Sequence, residues 1–141
     1  MSDYDPNYVP HKTFTLVGQK AIIKNGQGQI LLLQRSAKSG AGGKWSLPGG
    51  AIEFNEEPYA GISREITEET QLEVKNLRPF TLKQYLSTEE ENVIIIGYIG
   101  ETDSTDVVLN WEHDAFQWLR KEDALALDLT ADGRFFVEKV E

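Results

Sequence analysis

Residues 50–72 read GAIEFNEEPYAGISREITEETQL. From Pro58 onward the stretch has helical spacing. Proline suits the first helical position, where its missing N–H costs nothing, and Glu56 and Glu57 stand at the end where the helix dipole favours negative charge. Tyr59, Ile62, Ile66 and Thr70 recur on one face and predict packing against a sheet. Glu65, Glu68 and Glu69, three and four residues apart, share the adjacent face, with Gly61 one turn earlier. A helix is thus predicted over 58 to about 70. Its carboxylates repel one another at this spacing, and Arg64 is the one positive charge among them. Beside the Pro48-Gly49-Gly50 turn, such an oxygen-rich cluster suits a hard divalent cation such as Mg²⁺. The same charges also fit a solvated acidic helix face. Gly61 in mid-helix costs about 1 kcal/mol relative to Ala, which implies a close approach there, by the glycine turn or by a metal.

Upstream, Phe14, Leu16 and Val17 lead into Ala21-Ile22-Ile23, a strand, and Asn25-Gly26 signals a hairpin. Ile30–Leu33 reads as a buried strand that runs into Gln34 and Arg35. Residues 36–44 form a Gly/Ser/Lys loop that ends in Trp45-Ser46-Leu47-Pro48-Gly49-Gly50. Gly40, Gly42, Gly43 and Lys44 invite a phosphate-loop reading, but the spacing excludes it. Lys38 stands where that motif needs Gly, and Trp45 where it needs Ser or Thr. Downstream, strands are predicted over 81–86 and 93–99, joined by an acidic turn. A short strand or loop follows at Val107–Leu109, a strand at Phe116–Leu119, a short helix at 121–126, and a closing helix from Thr130 as N-cap, where Phe135-Phe136 leaves a strand open as the alternative. Strands outnumber helices and come mostly as hairpins. The fold class is therefore α/β (α+β), a mixed, largely hairpin-built sheet with helices packed on it.

A chain of 141 residues with 40% apolar content predicts one globular domain. Residues 1–12 read as a polar arm and 13–141 as the domain. The opening MSDYDPNYVPHK has neither the basic start nor the apolar stretch of a secretory signal. No apolar run is long enough for a membrane span. The lack of cysteine excludes disulfides and thiolate metal sites and fits a cytoplasmic protein. A formal net charge of −9 argues against a nucleic-acid polymer as partner. A phosphate-bearing small molecule remains compatible where a cation neutralises the site locally.

Gly50, Glu56, Arg64, Glu65, Ile66, Glu68, Glu69 and Leu72 stand at the spacing of the Nudix hydrolase signature, which this stretch resembles. Gln71 occupies a position that is usually Gly. That glycine caps the helix in the left-handed region, so Gln71 is expected to weaken or alter the cap without touching the charged groups. Asn55 also stands where many members have Gly, and Asn tolerates positive φ better than most residues. The flanking Leu32-Leu33-Gln34-Arg35 and Trp45–Gly50 are similar to the usual approach to the signature.

The resemblance implies an α/β/α sandwich and hydrolysis of a nucleoside diphosphate linked to a further group, with Mg²⁺ as cofactor and Mn²⁺ as a substitute. It implies Glu65, Glu68, Glu69 and the Gly49 carbonyl as metal ligands, with Arg64 and Glu56 as an ion pair that steadies them. The general base is Glu68 on the helix or Glu112 outside it. Arg35 and Lys44 are candidates for substrate phosphate, and Glu53 for metal or substrate. His113 reads as a loop residue, a substrate hydrogen bonder or a switchable acid–base, while His11 on the arm has no assigned role. Tyr85, Phe80 and Phe116 are the candidates for base stacking, whereas Trp45, Trp111 and Trp118 read as core or rim. The expected reaction converts a (deoxy)nucleoside triphosphate or modified nucleotide to the monophosphate and pyrophosphate. ADP-ribose, nucleotide-sugar or dinucleoside-polyphosphate hydrolysis is the enzymatic alternative, and a non-catalytic nucleotide-binding domain the alternative of another class. The expected partner is a small nucleotide, with no membrane and with a homodimer as the assembly considered.

Overall fold

The computed structural model describes residues 3–10 and 13–141; His11, the arm residue without an assigned role, lies outside them. The strands are β1 (Phe14–Lys24), β2 (Ile30–Arg35), β3 (Trp45–Ser46), β4 (Gly49–Ala51), β5 (Lys75–Leu86), β6 (Glu91–Glu101) and β7 (His113–Leu119). The helices are α1 (Pro58–Thr70), α2 (Lys121–Ala124) and α3 (Ala131–Lys139). No helix among the described residues is long and apolar enough to cross a membrane.

The strands form one mixed sheet. Its spine is the parallel pairing of β1 with β6, from Phe14↔Glu91 to Lys24↔Glu101, and β5 adds to β6 antiparallel. β2 is paired along its length with β7. The Asn25-Gly26 turn does join β1 to β2, but these strands face one another only at Lys24↔Ile30. Beyond that point they splay, and the segment after the Gly/Ser/Lys loop fills the gap. Trp45–Ser46 pairs with Gln34–Leu33 of β2, and Gly49–Ala51 pairs with Lys20–Gly18 of β1. The glycine turn is thus wedged between two strands in the middle of the sheet, which fixes it far more firmly than a surface loop would be.

Two cores flank the sheet. Ile30 and Leu32 point into one, with Ile22, Leu47, Ile95, Phe136 and Val137. Leu31 and Leu33 point into the other, with Ala21, Ile23, Ile62, Ile66 and Tyr98. A strand buried on both faces has no polar side to show, hence the unbroken apolar run at 30–33. α1 covers the second core, and α2 and α3 the first, which makes a sandwich of helix, sheet and helices.

Several expectations are adjusted. β5 starts at Lys75 rather than Thr81, because register shifts around Asn76 and Pro79 break the alternation that marks a strand. Val107–Leu109 is loop, tied to the end of α1 by the Val108 N–H on the Thr70 carbonyl at 3.0 Å. The Phe135-Phe136 stretch is helical within α3, whose N-cap Thr130 accepts from the Gly133 N–H.

Candidate active site

The site is built where α1 meets the wedged turn. Gly49 is required there, and Gly50 gives Glu65 its seat. Gly49 has φ 146°, and a Cβ on it would lie 1.9 Å from the Gln19 carbonyl oxygen of β1. A Cβ on Gly50 would lie 2.6 Å from Oε1 of Glu65. The helix therefore rests its carboxylates directly on bare backbone. Glu57 caps α1, its carboxylate accepting from the N–H groups of Tyr59 and Ala60 at 3.1 and 2.9 Å. At the other end Gln71 is left-handed, with φ 58° and ψ 20°, and its N–H reaches the Thr67 carbonyl. The cap expected of glycine is retained, with a side chain on it. Asn55 likewise has positive φ, 59°.

Glu69 is 1% exposed. The Gly49 N–H donates to its Oε1 at 3.0 Å. Burial pushes its carboxyl up to about 8; the Lys20 ammonium and the Gly49 N–H oppose the shift, and the charges of Glu65 and Glu112 add to it. Glu65 is also raised, first by burial, then against the pull of Arg64 and with the push of Glu68 and Glu112. Glu112, from the turn before β7, thus bears on the same two carboxylates from outside the helix. Its main-chain oxygen accepts from the Ser36 N–H and the Ser39 hydroxyl, which ties the 36–44 loop to this turn.

Arg64 holds more than one carboxylate. Its Nε and Nη2 donate to both oxygens of Glu56 at 2.7 and 3.1 Å. Nη1 lies 3.3 Å from Glu65 and 3.2 Å from Glu68, and Nη2 3.5 Å from Glu53. These bonds hold Glu56 down to about 2, helped by the Glu53 N–H, and raise Arg64 further above its already high range. The close approach at Gly61 comes from side chains rather than from the glycine turn. A Cβ there would meet Glu56 Oε1 at 2.8 Å and Gln19 Oε1 at 3.0 Å.

Among the described residues, no three carboxylates or imidazoles meet at metal-ligating distance. Glu65 and Glu68 turn to Arg64, and Glu69 to the Gly49 N–H. The donor chemistry nevertheless fits a hard cation. Glu65 and Glu69 are desolvated carboxylates with raised proton affinity, pressed against further acids, and such groups demand positive charge.

A cleft of about 410 Å³ opens beside the turn, lined by Lys20, Arg35 and Gly50 and, as its apolar part, by Leu16, Tyr85, Val93 and Ile95. Arg35 lines it, with its Nε held by the Gly40 carbonyl at 2.8 Å. Lys44 is paired with Asp128 at 3.2 Å and is not among the lining residues. Lys20 is a cation of the cleft that sequence reasoning did not single out. The signal was there: Gln19-Lys20 is a polar pair inside the apolar run of β1. His113 is 5% exposed on β7 rather than in a loop. Burial, then Lys20 and Arg35, push it down to about 4, so it is neutral at pH 7, and its Nδ1 has no hydrogen-bond partner. Of the stacking candidates only Tyr85 lines the cleft; Phe80 packs edge-on against Phe136 in the core. Trp45 and Trp118 pack against the two cores, and Trp111 is exposed.

Comparison with known proteins agrees with this geometry. The NUDIX domain family model matches residues 15–140. The nucleoside triphosphatase NudI of Klebsiella pneumoniae (strain 342) is 32% identical over 124 residues, covering 80% of this chain and 87% of that protein. The CTP pyrophosphohydrolase of Escherichia coli (strain K12) is 30% identical over 113 residues, covering 77% and 79%. Among solved structures, a MutT protein from Methanosarcina mazei Go1 superposes with a TM-score of 0.76 at 32% identity, over 90% of this chain and 93% of that one. The carboxylate helix on its glycine turn, the sandwich that carries it and the matched family model place the chain in one family: it belongs to the Nudix hydrolases.

Proposed function

We propose that this chain is a divalent-metal-dependent pyrophosphohydrolase that cleaves nucleoside triphosphates to the monophosphate and pyrophosphate. The observation that carries the reading is the seating of two proton-hungry carboxylates, the buried Glu69 and the half-buried Glu65, on the Gly49–Gly50 turn, whose Gly50 lines a cleft together with Lys20, Arg35 and apolar side chains. Nudix enzymes are generally metal-dependent, and the ion assigned here is Mg²⁺, with Mn²⁺ as its substitute. Glu65, Glu68, Glu69 and the Gly49 carbonyl would hold it. When bound, it supplies charge neutralisation of the diphosphate and activation of water for attack on phosphorus.

The chain's own groups do the rest. Lys20 and Arg35 receive phosphate oxygens, which requires Arg35 to exchange its loop carbonyl for the substrate. Lys44, on the exposed rim with Asp128, meets phosphate only by leaving that pair. Tyr85 and its apolar neighbours receive the base. The Arg64–Glu56 pair holds the carboxylates at fixed spacing. Glu68 on the helix and Glu112 outside it are both acids beside Glu65, and one of them takes the proton from the attacking water. Positioning and charge stabilisation carry most of such phosphoryl chemistry. The names of the NudI and CTP pyrophosphohydrolase relatives support triphosphates as substrates.

The test is a substrate panel with Mg²⁺ in which phosphate and pyrophosphate are read separately, with Glu68→Gln and Glu112→Gln alongside. Pyrophosphate release from a nucleoside triphosphate is expected, and the variant of the true base should lose roughly 10²-fold or more in kcat. ADP-ribose cleaved faster than every triphosphate would overturn the substrate class. Nucleotide binding without turnover on any substrate would replace the enzyme with a binding domain.

A further inference from the structure

Gln19 is a polar side chain with 1% exposure in the middle of β1, and none of the chemistry above uses it. Its main chain stands opposite Gly50 in the β1–β4 pairing, and its carbonyl oxygen is the atom that forbids a Cβ at Gly49. Its side chain reaches the other way. Nε2 donates to the carbonyl of Pro58, the first residue of α1, at 2.9 Å and to the Tyr98 hydroxyl at 2.6 Å. Oε1 lies against Gly61, as does the Glu56 carboxylate that holds Arg64. One residue therefore grips the glycine turn with its backbone and the first turn of α1 with its amide. Glu65 follows Gly61 by one helical turn and rests on Gly50; Glu69 follows by another and rests on the Gly49 N–H. A helix pinned at Pro58 and Gly61 cannot slide along the sheet without carrying both carboxylates off the turn.

We infer that Gln19 is a positioning residue, which sets the register of the carboxylate helix on the Gly49–Gly50 turn and so the spacing of the groups that receive the metal. An apolar residue of similar size would fill the same core space without needing partners for a buried amide. What the amide adds is direction. Tyr98 serves as a built-in comparison, because it bonds to the same Nε2 but stands on β6, so Tyr98→Phe removes one hydrogen bond of the amide and leaves the Pro58 bond in place.

Both readouts rest on the proposed function: turnover on its enzymatic part, Mn²⁺ binding only on its metal site. Mn²⁺ affinity without nucleotide is measured by electron paramagnetic resonance, with kcat, KM and the thermal midpoint, for wild type, Gln19→Leu and Tyr98→Phe. Gln19→Leu should weaken Mn²⁺ binding and lower kcat by roughly tenfold each, with KM for the nucleotide within about twofold, because misplacement of reacting groups by a fraction of an ångström acts on the chemical step. Tyr98→Phe should lower the thermal midpoint and leave Mn²⁺ affinity and kcat within about twofold. Should Gln19→Leu not fold, Gln19→Met takes its place with the same expectation. Unchanged Mn²⁺ affinity in the Gln19 variant, no Mn²⁺ binding by wild type, or equal losses in the Gln19 and Tyr98 variants would each overturn the proposal. If wild type binds Mn²⁺ but hydrolyses no nucleotide, the enzymatic reading fails and the Mn²⁺ comparison alone decides the role of Gln19.

Discussion

Glu69→Gln should stabilise the metal-free protein while abolishing its turnover. Glu69 is buried, and its carboxyl is pushed from 4.5 up to about 8 in the fold. A group whose folded pKa is raised contributes stability that is complete below its unfolded pKa and is lost as pH rises through the folded one. Each pH unit between about 4.5 and 8 therefore costs the metal-free protein about 1.4 kcal/mol. At pH 7 the folded carboxyl is still mostly protonated while the unfolded one is ionised, and this linkage costs roughly 3 kcal/mol. Glutamine keeps an oxygen for the Gly49 N–H but brings an NH₂ that needs a partner, which costs about 1–2 kcal/mol. The net gain at pH 7 is about 1–2 kcal/mol, or roughly 3–7 °C in Tm for a chain of this size. The assay is thermal unfolding in EDTA from pH 5 to 8. The Tm gap between variant and wild type should widen as pH rises and be smallest at pH 5, close to the unfolded pKa of Glu69, while the cost of the NH₂ enters equally at every pH. With Mg²⁺ the wild type should recover, because the cation stabilises the state that binds it, and the variant should not. A gap that is independent of pH, or that narrows towards pH 8, would refute the argument from desolvation.

Other residues give independent checks. Gln71→Gly should raise Tm by about 2–3 °C and leave kcat unchanged, since an exposed L-residue in the left-handed region costs about 1–2 kcal/mol, partly offset by the greater chain entropy of glycine; a lower Tm would mean the Gln71 side chain makes a stabilising contact. Lys20→Met should raise KM for the triphosphate roughly tenfold or more, the worth of a charge-assisted phosphate bond, and steady-state kinetics with KM unmoved would remove Lys20 from the phosphate site. His113, held down at about 4, contributes stability that is complete above about pH 6.5 and is lost as pH falls towards 4. Urea unfolding of wild type should therefore lose up to about 3 kcal/mol relative to His113→Leu over that interval, and parallel pH profiles would count against a buried neutral imidazole.

How much of this was legible in the sequence differs from residue to residue. The bounds of α1 were legible, because Pro58 and helical spacing are local signals, and so was the shared face of Glu65, Glu68 and Glu69. The Glu57 cap was not, since glutamate is an uncommon N-cap and its bonds depend on backbone already in place. Gly61 announced that something came close but not what; the answer, Gln19 and Glu56, needed β1 to be laid against the helix. Gln71 looked like a fault in the cap, yet the backbone keeps the left-handed turn, held by the Gln71 N–H on Thr67 and by the burial of Leu72 just beyond it.

Sequence alone thus determined the carboxylate helix, the glycine turn and the family they point to, because these are written in spacings of a few residues that a single element enforces. Only the tertiary structure decided what surrounds them. It splayed β1 from β2 so that the turn could be wedged between them. It brought Lys20 and Glu112, far away along the chain, to the buried Glu69, and it gave Gln19 both the turn and the helix to hold. The physical reason is burial. The proton affinity of Glu69 and the partners of Gln19 depend on which groups the folded chain removes from water together, and that is a property of packing between segments, which no local pattern encodes.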